Sequence, residues 1–357
     1  MKKEANEQMA GVKEIARRAN VSIATVDRVI HNRTGVSEKT KSRINKIIDD
    51  LNYQPNLIAR TLASRKVFDF AVLIPHVSDE SDYWRAPLLG IEKAAAELQQ
   101  FRINIHPFLF DQNEKESFIK QVEMVLKLRP DGVLVAPYFI DETVALANHC
   151  DATNTPYVFI NSDIPDLPST CYIGPDIYQS GYLCGELIDY IAPDPSKILV
   201  VNVSKEIKAP RYNRLLRKEE GLRSYFKQAG KAHPIVKTDI RNTTDEGIRK
   251  SLSKMFKDHP DIRSVFVSNS RVGSVARFLE ESGRGDIFLL GFDFLEDNIA
   301  YLKKGIIDFL ICNRPLEQGY RGIMSLYRDV VVHSPVDSQN LMPIDIVTRQ
   351  NCNYYQI

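Results

Sequence analysis

Apolar positions in residues 12–51 recur at intervals of three and four. Val12, Ile15, Ala16 and Ala19 share one helical face. The stretch "ANVS" then breaks the pattern, and Ser22 is placed to cap a second helix. In that helix Val26, Val29 and Ile30 share a face that Ile23, Ala24, Asp27 and Arg28 do not. Ser37 is placed to cap a third helix, in which Ile44, Ile47, Ile48 and Leu51 repeat at helical spacing. Two helices joined by a short turn and closed by a third predict a helix-turn-helix unit. Pro55 suits a first helical position, so residues 56–63 predict a further helix too short to be stable alone.

Beyond residue 66 the pattern changes to short apolar runs alternating with helical stretches. "FDFAVLIP" (68–75), "FRINIHPFLF" (101–110), "DGVLVAP" (131–137) and "TPYVFIN" (155–161) read as strands. A second series follows: "KILVVNVS" (197–204), "HPIVKTDI" (233–240), "SVFVSNS" (264–270) and "IFLLGFD" (287–293). Helical runs such as "RAPLLGIEKAAAELQQ" lie between them. Strands separated by helices predict parallel sheets with right-handed crossovers, and two series predict two α/β subdomains. The stretch 171–191 falls between the series, which puts the first crossing near 171–176. A chain of 357 residues also predicts more than one domain.

Charge sharpens the division. Residues 1–66 carry 14 Lys/Arg against 7 Asp/Glu, a surplus of +7, while the remainder carries −6 and the whole chain +1. A basic head on an acidic body suits a polyanionic partner, and a solvated helix surface is the plainer alternative. No apolar run approaches 18 residues, so no membrane span is expected. The N-terminus lacks an apolar core of the signal-peptide kind. Five cysteines, far apart and without a C-x-x-C pair, predict neither a disulfide framework nor a zinc site. Together these point to a cytoplasmic protein.

The outward residues of the second helix carry the chemistry of DNA reading. Ile23 and Ala24 offer apolar contact to a thymine methyl, and Arg28 can reach a guanine bidentately. Ser22, Thr25, Ser37 and Thr40 place hydroxyls near helix N-termini, where they serve phosphates or act only as caps. In the body, ligands belong at the C-terminal ends of the strands. Tyr83 and Trp84 can stack on a sugar face, with core packing as the alternative for Trp84. Asn161, Asp163, Asn269, Asp293 and Asn313 can bond hydroxyls, although turn or cap roles remain open for Asn161 and Asp163. Lys218, with Arg214 or Arg217, can supply a cation, and the basic residues at 214–218 lean towards an acidic or phosphorylated sugar.

The stretch from Val12 to Lys66, "VKEIARRANVSIATVDRVIHNRTGVSEKTKSRINKIIDDLNYQPNLIARTLASRK", resembles the lactose-repressor (LacI/GalR) family of bacterial transcription regulators. The body resembles that family's periplasmic-binding-protein-like effector domain, through "YIGPDIYQSGYLCGELI", "LLGFD" and "PIDIVTRQN". The resemblance implies a helix-turn-helix domain over 1–54, a hinge helix and linker over 55–66, and a ligand-binding and dimerisation domain over 67–357. It implies base reading by Ile23, Ala24 and Arg28. It implies backbone contacts from Ser22, Thr25, Ser37, Thr40, Tyr53 and Asn56. Ala59 and Leu62 then enter the minor groove from the hinge helix, with Leu62 as the wedge. For the effector it implies Tyr83, Trp84, Asn161, Asp163, Lys218, Asn269, Asp293 and Asn313. Asp27 stands where the family usually has Ser, and His31 where Asn is common; Asp27 is expected to pair with a neighbouring Arg.

These expectations make a homodimeric repressor on a palindromic operator, set by a carbohydrate effector, with no cofactor and no metal. The tail "DIVTRQNCNYYQI" has no heptad repeat, which favours a dimer over a tetramer. A solute-binding receptor for sugar transport is the alternative. Enzymatic readings find no P-loop, G-x-S-x-G or H-E-x-x-H, and the seven histidines stand singly.

Overall fold

The computed structural model describes residues 12–30, 33–51, 66–78, 82–193, 195–205 and 214–355. The chain divides into two compact units, residues 1–64 and 65–357. Tyr53, Asn56, Ala59 and Leu62, and with them the expected hinge helix, lie outside the described residues.

The first unit contains α1 (Val12–Ala19), α2 (Ile23–Ile30) and α3 (Glu38–Asp50). Ile15, Ala16, Ala19, Val26, Val29 and Ile44 form its small buried core. Asn20 turns the chain between α1 and α2 with a left-handed backbone (φ 49°), a conformation Asn tolerates. Ser37 caps α3: its hydroxyl accepts from Thr40 N–H at 3.3 Å.

The second unit holds two six-stranded sheets. The first subdomain is built from β1 (Phe68–Pro75), α4 (Arg85–Leu98), β2 (Ile103–Phe110), α5 (Lys115–Leu128), β3 (Gly132–Val135), α6 (Ile140–Thr153), β4 (Tyr157–Ile160) and β5 (Cys171–Gly174). The second is built from α7 (Ile177–Ile191), β6 (Lys197–Val203), α8 (Arg214–Ala229), β7 (Ile235–Ile240), α9 (Asp245–Asp258), β8 (Ile262–Val267), α10 (Val272–Glu281), β9 (Phe288–Phe292), α11 (Glu296–Lys304) and β10 (Phe309–Cys312). Helix α12 (Pro315–Leu326) and strand β11 (Gln339–Leu341) return to the first subdomain, and β12 (Asp345–Val347) joins the second sheet. The strand orders are β2-β1-β3-β4-β5-β11 and β7-β6-β8-β9-β10-β12. Every pairing is parallel except β12 against β10.

Both faces of each sheet are covered, as parallel sheets require. Phe70, Val72 and Ile74 of β1 pack into one core, while Ala71 and Leu73 of the same strand pack into another. Leu199, Val201 and Val203 of β6 are divided likewise from Ile198 and Val200. The chain passes between the sheets three times, at 174–177, 312–315 and 341–345. The pattern of apolar runs missed β5, β10, β11 and β12, which have only three or four residues each.

The two subdomains repeat one packing device. Helix α12 lies against α4, and α7 lies against α8. A Cβ on Gly90 would come within 1.9 Å of Leu316 O, and one on Gly319 within 2.1 Å of Pro87 O. In the other pair, a Cβ on Gly181 would meet Lys218 O at 1.9 Å, and one on Gly221 would meet Tyr178 O at 2.1 Å. Each crossing helix is thus seated by backbone-to-backbone contact that only glycine permits.

Candidate DNA-reading head and ligand cleft

In the head, α2 turns Val26 and Val29 inward and leaves Ser22, Ile23, Ala24 and Arg28 exposed. Ile23 is 50% exposed, so its side chain is free of the core and available at the surface. The hydroxyl pairs are preorganised. Ser22 and Thr25 lie 2.9 Å apart, and so do Ser37 and Thr40. Ser22 also accepts from Thr25 N–H at 3.1 Å, so both serines cap their helices. Asp27 accepts from Arg33 at 3.2 Å, which offsets a carboxylate on an otherwise basic surface.

In the body, a cavity of about 90 Å³ lies between the subdomains, at the C-terminal ends of the strands. The first subdomain contributes Tyr83, Trp84, Gln112, Tyr138 and Asn161, and the second contributes Arg214, Lys218, Asn269, Arg271 and Asp293. Asn313 sits at the second crossing.

Asn161 and Asp293 occupy matching places, each directly after the fourth strand of its subdomain. Both have a left-handed backbone, φ 69° and 76°, and both donate their N–H to the neighbouring strand, Asn161 to Ile173 O at 3.1 Å and Asp293 to Ile311 O at 3.0 Å. Such positions cost energy for residues other than glycine and aim the side chain off the strand end. Asn161 donates to Tyr83 Oη at 2.5 Å and accepts from Arg214 at 2.8 Å. The second guanidinium nitrogen of Arg214 donates to Tyr138 Oη at 2.6 Å, and the guanidinium carbon lies 4.5 Å from the centre of the Tyr138 ring. Tyr138 in turn donates to Gln112 at 3.0 Å. Arg214 therefore spans the cleft from the second subdomain to the first.

Lys218 is buried, donates to Ser268 O at 3.1 Å, and holds its ammonium 3.3 Å from the centre of the Phe292 ring. Burial pulls its pKa down to about 8, with Asp293 opposing the shift and Arg214 adding to it. Burial also raises the Asp293 carboxyl above its ordinary value, against the pull of Lys218 and Arg214. The Tyr83 phenol is pushed well up by burial and then by Asp293, so it stays a neutral hydroxyl. Asn269 bonds Val203 O at 2.6 Å and accepts from Arg271 N–H, which fixes the loop after β8. Asn313 accepts twice from Gln318, through its carbonyl at 2.7 Å and its side chain at 3.0 Å.

Two expected site residues are placed differently from the reading of the sequence. Asp163 does not line the cavity, because the tight turn at Asn161–Ser162 carries the chain past the cleft before reaching it; Arg217 is its nearest cationic influence. Trp84 touches the cavity but is only 1% exposed, held edge-on by Tyr83 at 5.2 Å and Tyr138 at 6.0 Å. Its indole is committed to the core, with no open face for stacking. Tyr138, Gln112 and Thr243 were not singled out from the sequence, although each follows a strand end and the same rule reaches them. Arg214 belongs to the basic run at 214–218, and Arg271 follows the end of β8.

No helix among the described residues is long and apolar enough to cross a membrane, and no cluster there could hold a metal ion. All five cysteines are buried and free.

The model of the lacI family of bacterial regulatory proteins matches residues 11–56, and the model of a periplasmic binding protein domain matches residues 70–331. The chain is 30% identical over 302 residues to the HTH-type transcriptional repressor PurR of Pasteurella multocida, covering 82% of this chain and 84% of that one. Among solved structures, a putative LacI transcriptional regulator from Bacteroides fragilis superposes with a TM-score of 0.76 at 28% identity, over 82% of this chain and all of that one. GanP, a glucose-galactose binding protein from Geobacillus stearothermophilus, shares the fold with a TM-score of 0.71 at 22% identity, over 80% of this chain and 99% of that one. With a helix-turn-helix head and a two-lobed ligand-binding body, the chain belongs to the lacI family of bacterial regulatory proteins, as a DNA-binding transcription regulator.

Proposed function

We propose that the protein is a cytoplasmic, homodimeric repressor whose operator affinity is set by a carbohydrate held in the cleft of the body. The observation that carries this reading is the chain of bonds from Arg214 to Asn161 and Tyr138, because it links the two subdomains through residues that line the cavity. A ligand that competes for those groups, or adds to them, changes the relation of the subdomains. GanP is a sugar-binding protein of the same fold, which supports a sugar as the ligand class. Within this reading the cavity binds its ligand without turning it over.

In the head, Ile23, Ala24 and Arg28 read bases. Ser22, Thr25, Ser37, Thr40, Tyr53 and Asn56 meet the backbone, while Ala59 and Leu62 act in the minor groove. Tyr83, Asn161, Lys218, Asn269, Asp293 and Asn313 hold the effector, joined by Arg214 and Tyr138. Two heads in a dimer call for an imperfect palindrome with half-sites about one helical turn, or a multiple, apart.

The test is operator selection from a random duplex pool with the full chain, followed by binding isotherms with and without sugars. A palindromic site whose affinity changes about 5- to 150-fold with a bound sugar is expected. Capture of no preferred duplex, or an affinity indifferent to every ligand the body binds, overturns the reading.

A further inference from the structure

Among the described residues, the buried charges of the cleft do not balance. Arg214 and Lys218, the two cations of helix α8 in the described lining, face one carboxylate there, Asp293. Asp293 influences both Arg214 and Lys218, so one anion is shared between two cations. The hydrogen-bond acceptors of Arg214 are neutral, an amide oxygen and a phenol. Lys218 bonds a backbone carbonyl and rests on an aromatic face. Arg271, the N-cap of α10, also lines the cavity, so that uncapped helix N-terminus adds partial positive charge, whereas α7 is capped by the Asp176 carboxylate.

A buried cation without a matching anion is expensive, so a ligand that supplies the missing charge gains by pairing with it. A neutral sugar hydroxyl can accept from Arg214 or Lys218 and still leave the surplus in place. An acidic group adds the second negative charge and can accept from the guanidinium in a two-pronged geometry. With a pKa of about 8, Lys218 is protonated at neutral pH, and a nearby anion would hold its proton more firmly.

We propose that the effector is a sugar bearing an acidic group, a carboxylate or a phosphate, seated against Arg214 and Lys218. The proposal rests on the reading of the cleft as a carbohydrate site and narrows the class of carbohydrate. Arg214 is the discriminating residue. It recognises the acid, while Asn161, Asn269 and Asp293 face the hydroxyls.

The experiment is calorimetric titration of the full chain with matched sets: glucose, glucuronate and glucose 6-phosphate, then galactose, galacturonate and galactose 6-phosphate. In at least one set an acidic member is expected to bind about tenfold or more tightly than its neutral parent. The carboxylate and phosphate arms identify which acid it is. Arg214→Gln should reduce that preference to within about threefold, and Arg214→Lys should restore part of it by keeping the charge. Neutral parents that bind as tightly as their acids overturn the proposal and leave the carbohydrate-responsive regulator intact. Binding of no member of any set overturns both the acid and the sugar class, while operator selection still judges the DNA-binding role. The wild-type comparison decides the matter even where a variant fails to fold.

Discussion

Arg214 Nη1 donates to Asn161 Oδ1 across 2.8 Å, joining two residues 53 positions apart that belong to different subdomains. Its Nη2 reaches Tyr138 at 2.6 Å, so one guanidinium holds two side chains of the opposite lobe. A hydrogen bond with one charged partner contributes roughly 1.5–3 kcal/mol. A bond of that size is enough to bias an equilibrium between a closed and an opened cleft.

Arg214→Met is expected to release this bias in the ligand-free protein. Backbone amides at the three crossings, 174–177, 312–315 and 341–345, should then exchange with solvent about tenfold faster or more, in line with the loss of one charged hydrogen bond. Hydrogen exchange read by mass spectrometry measures it. Unchanged protection at all three crossings would show that the bond does not hold the lobes together.

Lys218 links stability to pH. Its folded pKa, about 8, lies below the ordinary 10.5, so the unfolded chain binds more protons between those values. The cost of burying the charge is therefore full below pH 8 and fades as pH rises towards 10.5. Urea unfolding of the wild type and of Lys218→Met should converge by up to about 3 kcal/mol between pH 7 and 10. A stability difference that stays flat over that range contradicts the buried, charged lysine.

Gly319→Ala should separate α12 from α4, because the new methyl would fall 2.1 Å from Pro87 O. Backbone cannot yield as a flexible side chain can, so a loss of about 1–3 kcal/mol or more is expected. Chemical denaturation of the body measures it. Gly283→Ala makes a useful contrast: nothing lies within 4 Å of its Cβ, and its left-handed backbone (φ 65°) is the sole source of strain.

Arg28→Ala tests the head. Arg28 is exposed on α2 beside Ala24, on the face opposite Val26 and Val29. Once an operator has been selected, the variant should lose about 1–3 kcal/mol and tolerate any base at one position in each half-site. Uniform weakening with unchanged base preference would reassign Arg28 to the phosphate backbone.

Apolar spacing alone determined the helix-turn-helix head and the two series of parallel strands. Val26 and Val29 can face a core only if α2 is a helix, and runs such as Phe70–Ile74 can be covered on both sides only within a parallel sheet. The loops that carry ligand chemistry were legible for the same reason, since side chains after strand ends gather at one edge. Strands such as β5 and β11 were not legible, because β11 is polar and mostly exposed and β5 runs into the crossing it opens, so neither stands out until neighbouring strands supply its hydrogen bonds. Tertiary structure also decided what each loop residue does. Asn161 and Asp163 are two positions apart, yet the left-handed turn brings one to the cavity and carries the other beyond it. Trp84 belongs to the core because two tyrosines close on its edges. The sharing of Asp293 between Arg214 and Lys218 arises only when α8 and β9 are brought together, because electrostatic pairing depends on distance in space and leaves no trace in the order of residues along the chain.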